Sequence, residues 1–456
     1  MLFPTFTFLL GFLPLTVLVY YFLAARSKSA SRVWLILASF VFYSWFNWSY
    51  SLILGGSLLM NWFFAQLLWK KQSKTLLTLG IVCNILLLGY FKYYDFFIEN
   101  INTLFGASFL FKHILLPLGI SFFTFQQISF LQLVYSRVLK KYSFSTYALF
   151  VCFFPQLIAG PIVLPDEMMS QFDKKESLTP QARNIAAGFY LFSLGMAKKI
   201  LLADCFAEIA DPGFLNAGAE LLTGWKTALA YTFQIYFDFS GYCDMAMGIG
   251  LLFNIRLPKN FQSPYRAENI ADFWRRWHIT LGRFLMTGIY IPLGGNRCGK
   301  FRNCLNLFIT FLISGLWHGA SWLFVLWGMF HGIALVLHRI WSKFLHLKMP
   351  VLPGRIMTFL FVLLTWVLFR AADISQAKQL YKAMFLPEKF ALSGNADPKT
   401  LLLFLAGAFI IFFLKPAVDL GEKFKPTVAN ALLTIFLLTT SMFFFVKYSP
   451  FIYFNF

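Results

Sequence analysis

The sequence predicts an all-α protein that crosses a membrane many times. Hydrophobic residues make up 59% of the 456 residues and only 13% are charged, whereas a soluble domain carries about 25% charged residues. The mean hydropathy is +0.67, and apolar stretches recur along nearly the whole chain. We read these stretches as helices, because an open sheet would leave its edge N–H and C=O groups unsatisfied in lipid.

A helix needs roughly 20 apolar residues to cross a hydrocarbon core about 30 Å thick. Apolar windows lie at 5–25, 33–48, 50–69, 75–91, 113–136, 146–163, 185–206, 221–236, 240–254, 304–318, 320–342, 354–371, 400–415 and 430–447. Some are too short or too broken to span alone, so we expect roughly ten to twelve crossings plus re-entrant or interfacial helices. The chain is predicted to be one integral membrane domain, with N-terminal helices over 1–110, a motif-bearing core over 113–342 and C-terminal helices over 354–456.

The charges beside the first window predict its orientation. No basic region precedes that window and no small-residue cleavage pattern follows it, so it is expected to stay in the membrane and not to be a secretory signal. Arg26, Lys28 and Arg32 follow it, and a second basic cluster comes two crossings later, at 70–74. Positive loops stay in the cytoplasm, which predicts a multi-pass membrane protein with an extracytoplasmic N-terminus.

The net charge of +20 is explained mainly by basic loops that face anionic lipid headgroups, so no nucleic-acid partner is expected. The segment 256–302 is longer, more aromatic and more basic than a loop that only faces lipid headgroups needs to be. Its basic residues are Arg256, Lys259, Arg266, Arg275, Arg276, Arg283, Arg297, Lys300 and Arg302, against Glu268 and Asp272.

The six cysteines form no CxxC pair and mostly lie in apolar runs, where a thiol behaves as a small hydrophobe. We therefore predict no metal site and no disulfide framework. The sequence also lacks a P-loop, an HExxH motif and an extramembrane segment long enough for a second globular domain.

Polar residues inside apolar helices are functional candidates by default. Gln234, Asp238 and Asp244 lie in the stretch FQIYFDFSGYCDMAMGIG. The two carboxylates are six residues apart and fall on different helix faces, so we expect each to have its own partner. They could equally accept hydrogen bonds that pin helices together.

The basic segment contains a second candidate in FWRRWHITLGRF, where Arg275, Arg276 and Arg283 flank His278. Guanidinium groups beside Trp274 suit the phosphates and adenine ring of a nucleotide. The alternative is an amphipathic helix whose tryptophans lie at headgroup depth.

The third candidate is His318 in SGLWHGASW, at the end of an uncharged run. Its imidazole has the acid–base range to take a proton from a hydroxyl that attacks an ester or thioester carbonyl. His331 and His338 lie further along, and we expect these two to be hydrogen-bonding partners between helices.

Seven stretches carry a resemblance to a known family. They are LPLGISFFTFQQISF, FFPQLIAGPI, QIYFDFSGYCDMAMG, FWRRWHITL, YIPLGGNR, LWHGASW and the terminal FIYFNF, in this order. The chain resembles the membrane-bound O-acyltransferases, and within them the bacterial alginate O-acetyltransferase (AlgI-like) branch, to which peptidoglycan O-acetylation membrane subunits also belong.

The resemblance implies a ring of helices around a thinned centre, with a funnel from each side. It implies that His318 of the WHG element is catalytic and that His278 of the WRRWH element supports it. Acetyl-CoA, with no permanently bound cofactor, would enter from the cytoplasm and pass its acetyl group to an extracytoplasmic acceptor or an SGNH-type partner acetyltransferase. Arg275, Arg276, Trp274 and Arg283 would bind the donor, and Asp238, Asp244, Gln234 and Trp317 would support the site.

The chain departs from the family pattern at one place. Many relatives carry a basic-acidic-aromatic triplet before YIPLGGNR, where this chain has Met286, Thr287 and Gly288. The donor-binding contacts of the family can therefore be assigned to this chain less directly than its two histidines.

Two other functions fit parts of the sequence. A D-alanyl transfer protein of the teichoic-acid pathway would share His318, and a polytopic transporter would share the composition.

Overall fold

The computed structural model describes residues 1–216, 220–347, 349–387, 397–445 and 451–452, and the elements of these residues are helices. Residues 446–447 of the last apolar window and 453–456 of the terminal motif lie outside the described residues. The chain forms two compact units. One unit comprises Met1–Ser193, Cys243–Pro258 and Lys423–Phe445, and the other comprises Leu194–Tyr242, Lys259–Glu422 and Val446–Phe456.

The helices of the chain follow one another in this order: α1 Thr7–Ala24, α2 Lys28–Ser44, α3 Trp48–Lys70, α4 Lys74–Phe105, α5 Ile120–Tyr135, α6 Phe144–Cys152, α7 Phe154–Leu157, α8 Pro165–Met169, α9 Ala182–Leu215, α10 Leu221–Leu252, α11 Ile270–Arg276, α12 Ile279–Leu285, α13 Gly299–His318, α14 Trp322–Phe344, α15 Val351–Arg370, α16 Ile374–Phe385, α17 Pro398–Phe413, α18 Ala417–Glu422 and α19 Val428–Phe443. The helical architecture confirms the predicted fold class.

Six helices in the described part of the chain are long and apolar enough to cross a membrane, namely α1, α3, α4, α9, α14 and α15, and α17 and α19 are shorter apolar helices. Several predicted windows have other bounds. The windows 221–236 and 240–254 form the single helix α10, because the charge of Asp238 between them is balanced by Lys199 and needs no break in the helix. The window 113–136 becomes helical only at Ile120, after Gly119, whose φ is +71°.

Polar residues within the first unit pair with one another and so avoid exposure to lipid. Asn61 of α3 and Asn84 of α4 donate to each other's side-chain oxygens at 3.1 and 2.7 Å, and both are fully buried. Gln127 of α5 donates to Ser57 Oγ at 2.9 Å and accepts from the Tyr147 hydroxyl at 2.8 Å. These contacts hold α3 to α4 and α5, and α5 to α6.

In the second unit, α13 and α14 form a close hairpin. A Cβ on Gly315 would lie 2.2 Å from the Phe324 carbonyl oxygen, and one on Gly328 would lie 2.4 Å from the Phe311 oxygen. Small residues let membrane helices approach until their backbones touch. The hairpin turns just after His318, and Ser321 caps α14 by accepting from the Leu323 N–H, so His318 is held at the end of a tightly packed helix.

The short helices α11 and α12 also belong to the second unit and meet at the Trp277–His278 turn. Asn269 caps α11 by accepting from the Asp272 N–H at 2.8 Å. The preceding loop runs along the turn, because the Ile279 N–H donates to the Asn260 carbonyl at 3.0 Å and the Gln262 N–H donates to that of Arg276 at 2.9 Å.

Candidate functional site

His318 lies in an aromatic enclosure. It is the last residue of α13 and is 4% exposed. Its ring centroid is 4.8 Å from that of Trp317 and 5.0 Å from those of Trp327 and Phe369, all in edge-on arrangements. Edge-to-face packing fixes the orientation of a ring, so the imidazole is held in place by three aromatic neighbours.

His278 is fixed by its backbone and by one amide. It precedes the first residue of α12 and has φ 45° and ψ 51°. This left-handed conformation costs free energy for a residue with a side chain and tends to occur at functional sites. Its Nδ1 lies 3.1 Å from Asn260 Oδ1, which also accepts from the Thr280 N–H at 3.2 Å and from the Thr280 hydroxyl at 2.9 Å.

This hydrogen-bond pattern assigns the tautomer of His278. Asn260 Oδ1 accepts from a backbone N–H, so it is the amide oxygen, and Nδ1 of the neutral ring must carry the proton that faces it. The Nε2 atom therefore has a lone pair. It is buried, and no hydrogen-bond partner for it is found among the described residues. The ring thus presents an acceptor toward its surroundings.

Trp317 lies between the two histidines. Its ring centroid is 6.2 Å from that of His278 and 4.8 Å from that of His318. Two more buried polar atoms near His318, the Ser314 hydroxyl one turn earlier on α13 and the Trp327 indole N–H, have no partner in the described part of the chain. Buried polar groups are normally satisfied, so such atoms, together with His278 Nε2, indicate a place for a substrate or ordered water.

A buried ion cluster supports one wall of this site. Lys199 of α9 lies 2.8 Å from a carboxylate oxygen of both Asp238 and Asp204, and Asp238 is only 2% exposed. The other oxygen of Asp238 accepts from the backbone N–H of Ile452 at 2.7 Å. The next residue in α10, Phe239, packs edge-on against His278 with centroids 4.8 Å apart.

The other predicted supporting residues lie along α10. Gln234 is 8% exposed and precedes Asp238 by one turn, so both lie on one helix face. Asp244 is 3% exposed and belongs to the first unit. The spacing of the two carboxylates predicts different helix faces for them, and the described ion-pair partner of Asp238 is Lys199.

The four predicted donor contacts have different surroundings. Arg275 is 72% exposed and lines a cavity of about 290 Å³. Arg276 is held by Asp272, with Nε 2.9 Å from a carboxylate oxygen. Trp274 packs between helices against Phe311 and Trp327, with centroids 4.9 and 5.6 Å away. Arg283 is half-buried on α12.

The cavity beside Arg275, hereafter the basic cavity, is lined by Asn269, Ala271, Arg275, Leu307, Leu335, His338, Arg339, Ser342 and Lys343.

His331 joins three helices through both ring nitrogens. The Trp274 indole N–H of α11 donates to Nδ1 at 3.2 Å, and Nε2 lies 3.0 Å from the Thr365 hydroxyl of α15. Because Nδ1 accepts, Nε2 carries the proton of the neutral ring and donates it. This is the structural role that the sequence predicted for His331.

Sequence reasoning missed Asn260, Thr280, Ser314 and Lys199. Lys199 lies in an apolar window and could have been found, because a charge inside a membrane helix indicates a buried partner. The roles of Asn260 and Thr280 depend on a loop that returns to the His278 turn, and no local sequence pattern encodes that pairing.

Comparison with known proteins places these residues in a family context. The family model of the membrane-bound O-acyltransferases matches residues 64–375. A peptidoglycan O-acetyltransferase of Helicobacter pylori is 46% identical over 84% of this chain and 80% of its own length. The Pseudomonas aeruginosa protein named "Probable alginate O-acetylase AlgI" is 38% identical over 84% and 75%, respectively. A teichoic acid D-alanyltransferase of Streptococcus thermophilus is 28% identical over 50% and 57%.

The match covers well over half of the chain and includes both histidines, the ion cluster and the basic cavity. The first two relatives align over most of both sequences. On these grounds, and on the motifs that the sequence carries, the chain is a multi-pass membrane protein that belongs to the membrane-bound O-acyltransferase family.

Proposed function

We propose that this protein moves an acetyl group from cytoplasmic acetyl-CoA to an extracytoplasmic acceptor for O-acetylation of a cell-envelope polysaccharide. As a membrane-bound O-acyltransferase, it is an enzyme that transfers acyl groups to oxygen. The named activities of its relatives in H. pylori and P. aeruginosa support acetyl as the group and peptidoglycan or alginate as the type of polymer.

The observation that carries the proposal is the arrangement of His318, Trp317 and His278 in one buried aromatic site. In the proposed reaction, His318 takes the proton of the acceptor hydroxyl while the hydroxyl oxygen attacks the thioester carbonyl. The new C–O bond forms, the C–S bond breaks, and the thiolate regains a proton from the imidazolium. General base catalysis of this kind contributes about 10²–10⁴-fold to the rate.

His278 has a supporting role in this scheme. Its Nε2 atom is buried with no hydrogen-bond partner found among the described residues, while Nδ1 is held by Asn260. An acceptor hydroxyl or a water that donates to Nε2 would be oriented for attack, and positioning of reacting groups lowers the barrier without a further proton transfer.

The charge pattern supports the proposed direction of transfer. The basic segment 256–302 would lie on the cytoplasmic side of the inner membrane, with the N-terminus outside. Arg275 and its neighbours would bind the donor there, and the acetyl group would leave on the other side to a polysaccharide hydroxyl or to an SGNH-type partner acetyltransferase.

The test uses purified protein in proteoliposomes with acetyl-labelled acetyl-CoA and a peptidoglycan or alginate oligosaccharide, with and without the partner transferase. The wild type should release CoA and label the acceptor. His318→Ala and His318→Gln should lower that rate by about 10²-fold or more while the melting temperature stays nearly unchanged.

Two results would overturn the proposed activity, and a third would overturn its mechanism. A transporter would leave the thioester intact with every acceptor. A D-alanyl transfer protein would instead use D-alanine from a carrier-protein thioester and ignore acetyl-CoA. Substantial acetyl transfer by His318→Gln would show that His318 is not the general base of the reaction.

A further inference from the structure

A second cavity, hereafter the apolar cavity, lies in the second unit where α15 begins and α17 ends. Its volume is about 430 Å³, within the range of about 300–1,000 Å³ that ligand pockets have. Leucine, isoleucine and phenylalanine side chains of α15 and α17 form most of its lining, and its charged lining residues are Arg266 and Arg355. An apolar pocket with two cations suits a ligand that has an apolar body and an anionic end.

Three aromatic side chains of the lining pack in series and give the apolar cavity a fixed shape. The ring centroid of Phe359 lies 5.5 Å from that of Tyr265 and 5.8 Å from that of Phe412, both in edge-on arrangements. The Tyr265 hydroxyl donates to the Thr232 carbonyl at 2.7 Å and accepts from the Trp366 indole N–H at 3.1 Å. Because these contacts fix the orientation of the rings, the cavity is formed before a ligand binds.

Arg266 is held at the apolar cavity by neutral groups. Its Nε donates to the Ile411 carbonyl at 2.8 Å, and its Nη2 donates to the Leu414 carbonyl, both at the end of α17. A helix end leaves such carbonyls without an intrahelical partner, so the arginine caps the helix. A guanidinium has five N–H donors, and these two contacts orient it without neutralising its charge. An oriented guanidinium suits the recognition of a phosphate.

Arg355 adds a second cation from the second turn of α15. Its Nη2 lies 3.0 Å from Glu268 Oε1, and the two side chains are 48% and 44% exposed. An ion pair so exposed contributes little to stability, so the guanidinium can turn toward another anion at small cost. A further exposed cation, Lys415, directly follows Leu414, whose carbonyl accepts from Arg266. The polar end of the apolar cavity therefore attracts an anion.

The apolar cavity lies at the depth where a membrane interface meets the hydrocarbon. The helix α15 is long and apolar enough to cross a membrane, and basic side chains near a helix end, such as Arg355, anchor it at the interface. From Leu352 to Leu360 the lining follows α15 for about 12 Å, close to half of a hydrocarbon core about 30 Å thick. The lining residues Ile356 and Phe413 are exposed, so the cavity opens on a surface that lipid would cover.

We propose that the apolar cavity binds an anionic phospholipid, with its phosphate on Arg266 and Arg355 and an acyl chain between α15 and α17. An anionic headgroup is favoured over a zwitterionic one because two guanidinium groups line the cavity and Glu268 is the described carboxylate that pairs with one of them. The bound lipid would join the end of α17 to the start of α15. The inference is independent of the proposed acetyl transfer, which uses neither arginine.

The first test measures headgroup selectivity. Purified full-length protein in neutral detergent is titrated with phosphatidylglycerol or with phosphatidylcholine of the same acyl chains, and native mass spectrometry counts the bound lipids. The wild type should bind one phosphatidylglycerol about tenfold more tightly than phosphatidylcholine, and Arg355→Gln should remove that preference. The matched control is Arg183→Gln, an exposed arginine in the first turn of α9 that does not line the cavity, which should bind as the wild type does. Equal affinity of the wild type for both lipids would overturn the inference.

The second test asks whether an acyl chain occupies the apolar cavity. Leu360→Trp puts a larger side chain into the lining without changing its charge, so it should weaken phosphatidylglycerol binding by about tenfold. Leu86→Trp, at an exposed leucine of α4 that does not line the cavity, should leave binding unchanged. Glycerol 3-phosphate has the phosphate but no acyl chain and should not compete. Wild-type binding by Leu360→Trp, or competition by glycerol 3-phosphate at the lipid's own concentration, would overturn the inference.

The third test uses stability, because a ligand that binds only the folded state raises the melting temperature. Phosphatidylglycerol should raise the melting temperature of the wild type and of Arg183→Gln, and should raise that of Arg355→Gln and Leu360→Trp less. Without lipid, these variants should melt close to the wild type, since both replaced side chains are exposed. A wild-type melting temperature that phosphatidylglycerol leaves unchanged would overturn the inference, whether or not the same protein transfers acetyl groups.

Discussion

Asn260 holds the ring of His278 through a hydrogen bond of 3.1 Å between Oδ1 and Nδ1, and both residues are 1% exposed. The same amide oxygen accepts two hydrogen bonds from Thr280. One side chain thus fixes the turn, the tautomer and the direction of the Nε2 lone pair. In the proposed reaction, Asn260 is a positioning residue that acts through His278.

Replacement of Asn260 should separate positioning from folding. Asn260→Ala removes the acceptor, so His278 can rotate or change tautomer, and kcat for acetyl transfer should fall by roughly 10²-fold, as small misplacements at reacting centres do. Asn260→Asp keeps an oxygen in the same place and should retain much more activity. Equal loss in both variants, with equal loss of melting temperature, would indicate a purely structural role.

Replacement of His331 should lower stability and spare activity, whereas replacement of His318 should lower activity and spare stability. Its two hydrogen bonds join α11, α14 and α15, and removal of buried partners costs about 1–3 kcal/mol for each group left unsatisfied. His331→Ala should therefore lower the melting temperature in detergent, while the acetyl transfer rate per folded molecule stays close to that of the wild type. A stable His331→Ala protein without activity would show that the ring takes part in the reaction.

The buried ion cluster predicts that Lys199 and Asp238 are strongly coupled in their contributions to stability. Lys199→Met would remove the cation that lies beside the buried carboxylate of Asp238, and breaking a buried pair from one side costs about 3–5 kcal/mol. The double variant Lys199→Met with Asp238→Asn also removes the buried negative charge of Asp238 and should recover part of the loss. Thermal unfolding in detergent measures the coupling, and strictly additive effects would show that the pair does not interact.

The sequence predicted the fold class and the residues with distinctive chemistry, because both depend on composition and local motifs. His318, His278 and Arg275 were found in this way, and their places in the described structure are a shared aromatic site and the basic cavity. Their catalytic and donor-binding roles stay predictions, as do the partner transferase, the implied ring of helices and the predicted chain boundaries.

Long-range pairing explains what the sequence did not predict. Asn260 is eighteen residues from His278, and Lys199 is thirty-nine residues from Asp238, so neither contact follows from helical periodicity. Arg339 was not singled out from the sequence, because its access to the basic cavity depends on how α14 packs on α11 and α13. The guanidinium of Arg276 is engaged by Asp272, and its predicted role as a donor contact stays a prediction.

The contact between Gly315 and Gly328 sets how closely α13 and α14 approach, and it should control the position of His318. In Gly315→Ala the new Cβ would lie 2.2 Å from the Phe324 carbonyl oxygen, and backbone cannot yield as a side chain tip does. The helices must separate, so both the melting temperature and kcat should fall. The control is Gly55→Ala on α3, where a Cβ meets no atom within 4 Å and alanine favours the helix by up to about 1 kcal/mol. If Gly315→Ala were as stable and active as Gly55→Ala, the close approach of the hairpin would not determine the geometry of the site.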